Sequence, residues 1–496
     1  VRHFKENSMR LAAAIALVLL ATPAAAQLSK TGGGPVDLGP LDDNHTAIDA
    51  LHRASVSSAT ALGPVPLAAA GRAPNLQFPV RLRAASKAFS GHHIANYVDL
   101  DKTAKFKDFT CSNRTYDGHN GTDFVLSPFW WRMMDGKEAD VVAAAPGKLI
   151  AKDDGNFDRQ CNFNGASPGN YVVIQQDDGY FAYYFHMKKK SVTTRSVGSR
   201  VAAGDVLGLI GSSGTSLLPH LHFELRTASF FGGQTVDPFA GACGAGTTIW
   251  KHQPEKIDTE ILRIATHKIV PPRADLDFCA NPDPGYSDQF LPGAKVWVAA
   301  YVRDQAPTTP LNFTILRPDG TTFTTWSSGP LSQMEPFTYW YGEIDIPPTG
   351  PEGRWKAQVQ LEGKTDEHVF MVGDLPAAAI LTTSVTPSMA AARPSAPANF
   401  DVTVRNSSST SAIGCSVAPD APLAAVWSFQ QTVAGTPTGG VNEAFDIPAG
   451  KTAKVRLTIT PKATYRAQQI KLPIRVFCPN GSEAATARAK VITLSF

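Results

Sequence analysis

The first chemistry this sequence offers lies in Pro219-His220-Leu221-His222-Phe223-Glu224, where one residue separates two histidines in an apolar run. In an extended strand alternate side chains share a face, so the two imidazoles point the same way. Neutral imidazole ligates transition metals and also carries a proton near neutral pH. One strand can therefore supply a metal ligand and an acid/base group side by side. Upstream, His119-Asn120-Gly121-Thr122-Asp123 sets an imidazole and a carboxylate four positions apart, with a glycine between them that lets the chain bend. A catalytic zinc site takes three protein ligands from N and O donors and keeps a fourth position for water. His119, Asp123 and one histidine of the pair make such a set, and a further histidine, His186, ends the aromatic run Tyr180–Phe185.

Short strands and glycine turns must hold these residues. Tyr171–Ile174, Tyr180–Phe185 and Val206–Ile210 read as strands, with Asp177-Asp178-Gly179 as the hairpin turn between the first two. This character runs over residues 86–245. A second β region, 270–374, has a turn at Pro318-Asp319-Gly320 and the half-buried alternation Trp355, Ala357, Val359, Leu361. A third, 380–496, repeats it in Phe400/Val402/Val404, Val455/Leu457/Ile459 and Leu472/Ile474/Val476. Pieces of about 100 residues with evenly spaced short strands suggest immunoglobulin-like sandwiches, with Pro387–Asn399 as a link or an irregular first strand. The expected class is mainly β: a β-sheet domain carrying the histidines, then two sandwiches.

The chain has 496 residues and a formal charge of +3, with acids and bases spread throughout. That balance gives no argument for nucleic acid or for a basic membrane-binding face. Met9-Arg10, the apolar run Leu11–Leu20 and Ala24-Ala25-Ala26 read as a signal peptide over residues 1–26, cleaved before Gln27. The apolar run is shorter than the ~20 residues a membrane span needs. The expected mature protein is exported, periplasmic or secreted, with no membrane span. Residues 27–85, rich in Ala, Gly, Pro and Ser, read as a flexible leader or pro-segment with one short helical pattern at Ala47–Ala54. Six cysteines in an oxidising compartment imply disulfides. Pairing neighbours along the chain gives Cys111–Cys161, Cys243–Cys279 and Cys415–Cys478.

These motifs resemble the lysostaphin-type zinc endopeptidases, family 23 of the metallopeptidases. Their signature elements stand here as His119-Asn-Gly-Thr-Asp123, Tyr184-Phe-His186 and Pro219-His-Leu-His-Phe-Glu224. Ala144-Ala-Pro-Gly147, Gly169-Asn170, Val201–Gly208, Gly211-Ser-Ser-Gly214 and Val236-Asp-Pro-Phe239 follow in family order, so the likeness covers about residues 92–240. The resemblance implies an antiparallel β-sheet groove with one Zn2+ per chain held by His119, Asp123 and His222. It implies catalytic roles for His186 and His220, without dividing those roles between them. It further implies a peptide of peptidoglycan as substrate. Alternatives are a non-catalytic regulator of a cell-wall hydrolase, or a secreted protease acting on glycine-rich proteins.

Several residues carry two readings. The insertion Pro128-Phe129-Trp130-Trp131 packs the core or walls a substrate cleft. Trp326, Trp340, Tyr341 and Trp355 form a sandwich core or a carbohydrate platform, the latter making the sandwiches a wall- or partner-binding part. Asn170 and Tyr184 shape the cleft or serve the core, and His92-His93 reads as a surface pair.

Overall fold

The computed structural model describes residues 28–36, 40–41, 76–83, 91–162, 168–227, 233–271, 285–373, 379–393, 395–419, 425–461, 469–478, 480 and 490–495. The expected signal segment 1–26, the pattern at Ala47–Ala54 and Cys279 lie outside them. Strands dominate. The chain runs through β1 (Leu28–Pro35), β2 (Val80–Leu82), β3 (His92–Ile94) and β4 (Thr122–Leu126), then a short helix α1 (Trp130–Asp135). It continues through β5 (Ala139–Val142), β6 (Gly147–Asp153), β7 (Tyr171–Gln176), β8 (Phe181–Phe185), β9 (Arg200–Val201), β10 (Val206–Leu209), β11 (His220–Arg226) and β12 (Thr235–Val236). Among the described residues no helix is long and apolar enough to cross a membrane.

The sheet that matters most has the order β3-β4-β11-β8-β7-β6-β9, with β12 also paired to β11. Its centre is built from apolar runs. Val172, Ile174, Ala182, Tyr184, Leu221 and Phe223 are buried on it, and the Val, Ile, Leu and Phe side chains contribute roughly 1.5–3 kcal/mol each when fully buried. The β7–β8 hairpin turns at Gly179, which adopts φ 95°, as its Asp-Asp-Gly sequence predicts. Tyr184 accepts the Ala144 amide at 2.8 Å, and Asn170 donates to the Met187 carbonyl at 3.0 Å. Both tie strands to loops inside the domain. Phe129, Trp130 and Trp131 are also core: each is at most 2% exposed, so the insertion does not wall a cleft with these rings.

Next follow β13 (Glu260–His267), β14 (Gln289–Phe290), β15 (Lys295–Gln305), β16 (Asn312–Leu316), β17 (Thr322–Ser327), β18 (Glu335–Asp345), β19 (Gly353–Leu361) and β20 (Lys364–Val372). They form two sheets, β1-β18-β15-β13 and β14-β20-β19-β16-β17. One core lies between the sheets, with Val296, Val298 and Ile344 from the first and Phe313, Trp326 and Trp355 from the second. Trp340 belongs to the same core, so three of the four rings considered for a carbohydrate platform are spent on packing. The last region is a second two-sheet sandwich. Phe400, Val402, Val455 and Leu457 of one sheet face Val417, Ile474 and Val476 of the other. Met389–Ala391, within the Pro387–Asn399 stretch, is a short strand parallel to Lys490–Ser495.

Several expectations are corrected. Leu28–Pro35, placed in a flexible leader, is an edge strand of the first sandwich, paired with β18. Val80–Leu82, from the same leader, pairs with β5. The first sandwich begins before residue 270, since β13 starts at Glu260. Cys111 bonds Cys243, so neither the Cys111–Cys161 nor the Cys243–Cys279 pairing holds; Cys161 is disulfide-bonded elsewhere. The reason is that the loop after β3 folds back on the segment after β12. The Phe109 carbonyl accepts the Cys243 amide at 2.9 Å, and the Phe109 ring stacks on Phe239. Cys415–Cys478 forms as expected, within one sheet of the last sandwich.

His92-His93 is not a surface pair. Both lie in β3 and are buried, His93 completely. His93 Nδ1 lies 2.6 Å from Ser127 Oγ and its ring stacks on Phe337 of β18. Other links cross the same boundary. Arg303 of β15 approaches the His92 carbonyl, and Phe129 meets Tyr286 and Tyr301 edge-on with centroids 4.8 Å apart. A single apolar cluster joins Ile94, Phe129 and Leu221 to Leu262, Tyr301 and Phe337. The histidine-bearing domain and the first sandwich share a core.

Candidate metal centre

Register assembles the centre. β11 lies between β4 and β8, with His222 opposite Asp123 on one side and opposite Phe185, the residue before His186, on the other. Two residues earlier on β11, His220 projects from the same face. His119 stands on the turn leading into β4. All five side chains expected from the sequence come together here, and all are buried.

Asp123 is the hub. Its Oδ2 lies 3.2 Å from His119 Nε2, and its Oδ1 lies 3.1 Å from His222 Nδ1 and 3.8 Å from His220 Nε2. Asn96 donates to Oδ2 at 3.1 Å. His119, Asp123 and His222 each offer a ligand atom within 4.8 Å of the others. Two imidazole nitrogens and one carboxylate oxygen, gathered at a buried point, suit a divalent transition metal. The residues present therefore fit a metal.

Backbone carbonyls set the rings. His119 Nδ1 lies 2.6 Å from the Tyr97 carbonyl, His186 Nδ1 2.7 Å from that of Ser213, and His220 Nδ1 2.8 Å from that of Leu218. A carbonyl only accepts, so each Nδ1 carries a proton, and in the neutral ring Nε2 is the acceptor. For His119 this is the ring orientation that outer-layer partners impose on metal-binding histidines. His186 adopts φ 60°, a left-handed conformation uncommon for a non-glycine residue. Its ring lies 4.5 Å from that of His220, centroid to centroid.

The glycine of the His-x-Gly-x-Asp motif acts through space more than through bending. A Cβ on Gly121 would collide with the His222 ring, whose Cε1 would stand 2.6 Å away. Glu224 buttresses the same ring, its Oε2 being 3.8 Å from His222 Nε2. Burial alone would raise the Glu224 pKa. Arg226, donating to Oε1 at 2.6 Å, together with His222 outweighs burial and brings it to about 2. Asn96 and the carbonyls of Tyr97, Ser213 and Leu218 were not found from sequence. A lone asparagine carries no motif, and a carbonyl acceptor leaves no trace in residue type.

Residues 118–238 match Peptidase family M23 and contain all five residues of the centre. Over 129 residues the chain is 38% identical to the glycyl-glycine endopeptidase ALE-1 of Staphylococcus capitis, covering 26% of this chain and 30% of that protein. It is 36% identical to lysostaphin of Staphylococcus simulans over 137 residues, 26% of this chain and 24% of lysostaphin. It is 32% identical to the peptidoglycan DD-endopeptidase ShyC of Vibrio cholerae over 136 residues, 27% of this chain and 30% of ShyC. The chain thus spans about a quarter to a third of the length of these relatives. Within residues 118–238 it is similar to the peptidase M23 domain, and the two sandwiches lie outside the matched residues.

Proposed function

We propose that this M23 domain is a working zinc endopeptidase that hydrolyses peptide bonds of peptidoglycan outside the cytoplasm. The observation carrying the proposal is the buried convergence of His119, Asp123 and His222, with His186 and His220 beside them. His119 Nε2, the Asp123 carboxylate and His222 Nδ1 are the ligand atoms. Zinc, when bound, polarises the scissile carbonyl and brings water within reach of deprotonation at neutral pH. His186 and His220 each spend an Nδ1 proton on a carbonyl, which leaves Nε2 as the nitrogen for acid/base work, and His220 Nε2 lies 3.8 Å from Asp123 Oδ1. One accepts the proton of the attacking water and passes it to the departing amine. The other, once protonated, donates to the oxyanion. Asn96 holds the Asp123 carboxylate, and Glu224 holds the His222 ring.

The relatives support the substrate class. One relative is a glycyl-glycine endopeptidase and another a peptidoglycan DD-endopeptidase, which supports a peptide of peptidoglycan as the substrate. Export fits that substrate, as do the disulfides. The immunoglobulin-like sandwiches are read as a support for the catalytic domain that also offers surface to the wall or a protein partner. The test is digestion of purified peptidoglycan by the full chain, with and without a chelator, followed by mass analysis of the released peptides. New peptide termini that vanish with chelator and return with zinc support the proposal. Intact peptides under both conditions contradict it.

A further inference from the structure

We infer that Ser216 and Ser212 are positioning residues for His220, linking it to Gln160 through a row of buried hydroxyls. The inference rests on His220 acting on the substrate, as proposed above. The loop Gly211–Pro219 runs between β10 and β11; Ser212 and Ser216 on it, and His220 at the start of β11, are fully buried. Ser216 Oγ lies 3.4 Å from His220 Nδ1, 3.0 Å from the Leu218 carbonyl and 2.8 Å from Ser212 Oγ. Ser212 Oγ in turn lies 2.6 Å from the Gln160 carbonyl.

Counting protons gives the row a direction. The Gln160 carbonyl cannot donate, so the single hydroxyl proton of Ser212 goes to it. The Ser212 oxygen is then an acceptor, and Ser216 donates to it across 2.8 Å, the shorter of its two options. The lone pairs of Ser216 are left facing His220 Nδ1, whose proton is shared between the Leu218 carbonyl and that hydroxyl. Every link favours the same tautomer, with Nε2 bare toward Asp123. The row ends in a segment that is itself secured. Gln160 donates its amide to the Ser212 carbonyl at 2.8 Å, and its neighbour Cys161 is disulfide-bonded.

The same loop serves His186. The Ser213 carbonyl takes the His186 Nδ1 proton, while Ser213 Oγ donates to the Met187 carbonyl at 2.8 Å. One short loop therefore orients both imidazoles, whose centroids lie 4.5 Å apart. Loosening it costs orientation at the reacting centre, which acts on turnover more than on substrate affinity.

The test uses the full chain, zinc-loaded and labelled with 15N-histidine. The wild-type His220 signal, assigned with His220→Ala, is expected to show a protonated Nδ1 and a bare Nε2. Ser216→Ala is expected to lower kcat on peptidoglycan about tenfold, with KM and zinc content unchanged and the His220 signal shifted. Ser212→Ala, which breaks the next link, shifts the same signal, and Ser216→Thr, which restores a hydroxyl, keeps the wild-type rate. A wild-type His220 protonated at Nε2 overturns the inference. So does a Ser216→Ala chain with wild-type kcat and spectrum, or one whose zinc content falls in step with its activity. Should Ser216→Ala not fold, Ser212→Ala and the wild-type spectrum still decide. Should the wild type not digest peptidoglycan, the proposed function fails, while the nitrogen spectra still judge the hydroxyl row.

Discussion

Arg114 and Asp304 form an ion pair at 2.7 Å across the boundary between the M23 domain and the first sandwich, their side chains only 5% and 7% exposed. Arg114 also donates to the Ile94 carbonyl on β3, the strand beside the one that carries Asp123. The sandwich thus supports the sheet under the metal centre. Removing one partner of a buried pair leaves the other charged, desolvated and uncompensated, which costs about 3–5 kcal/mol. Arg114→Ala is expected to lose that much stability in chemical denaturation. A fragment ending at Gly246 is expected to lack a cooperative unfolding transition. A fragment that unfolds as sharply as the full chain contradicts this view of the sandwich.

Gly121 gives a second test, confined to the centre. The Cβ of Gly121→Ala would displace the His222 ring from its place opposite Asp123. Zinc affinity, measured by chelator competition, should fall at least about tenfold while the far-ultraviolet circular dichroism is retained. Wild-type affinity would mean that the ring has another way to reach the metal.

Asp237 supplies a pH dependence away from the metal. Burial pushes its carboxyl up to about 7, the charge of Asp108 adds to the rise, and the Phe239 amide on Oδ1 at 3.0 Å opposes it. An unfolded aspartate titrates near ~3.9. Between these values the folded chain holds a proton that the unfolded chain has released. Stability therefore falls as pH rises from about 4 to about 7, and the penalty is complete above that. Asp237→Asn removes the charge and keeps an acceptor for Phe239. Its melting temperature should exceed that of the wild type at pH 8, with the gap closing toward pH 4. Parallel profiles would contradict the raised pKa.

The sequence was most legible where chemistry is local. The His-x-His spacing places both rings on one face of any strand, and Asp-Asp-Gly makes a hairpin wherever apolar strands flank it. Alternation found the sandwich cores for the same reason. What failed depended on distant chain. Cys111 pairs with Cys243 because a long loop folds back across the domain, which spacing between neighbouring cysteines cannot express. His92-His93 looked exposed because the sandwich that covers it lies more than 200 residues downstream in the chain, at Arg303 and Phe337. Leu28–Pro35 has the composition of a linker, yet its glycines let it lie close against β18. A Cβ at Gly32 would strike the Tyr341 ring.

In the proposed mechanism His119, Asp123 and His222 hold the metal, while His186 and His220 act on the peptide. Zinc per chain, measured by elemental analysis on the five single alanine variants, tests it most directly. One zinc is expected in the wild type, His186→Ala and His220→Ala, and little or none in His119→Ala, Asp123→Ala and His222→Ala. Zinc retained by His222→Ala, or lost from His220→Ala in a folded chain, would contradict it.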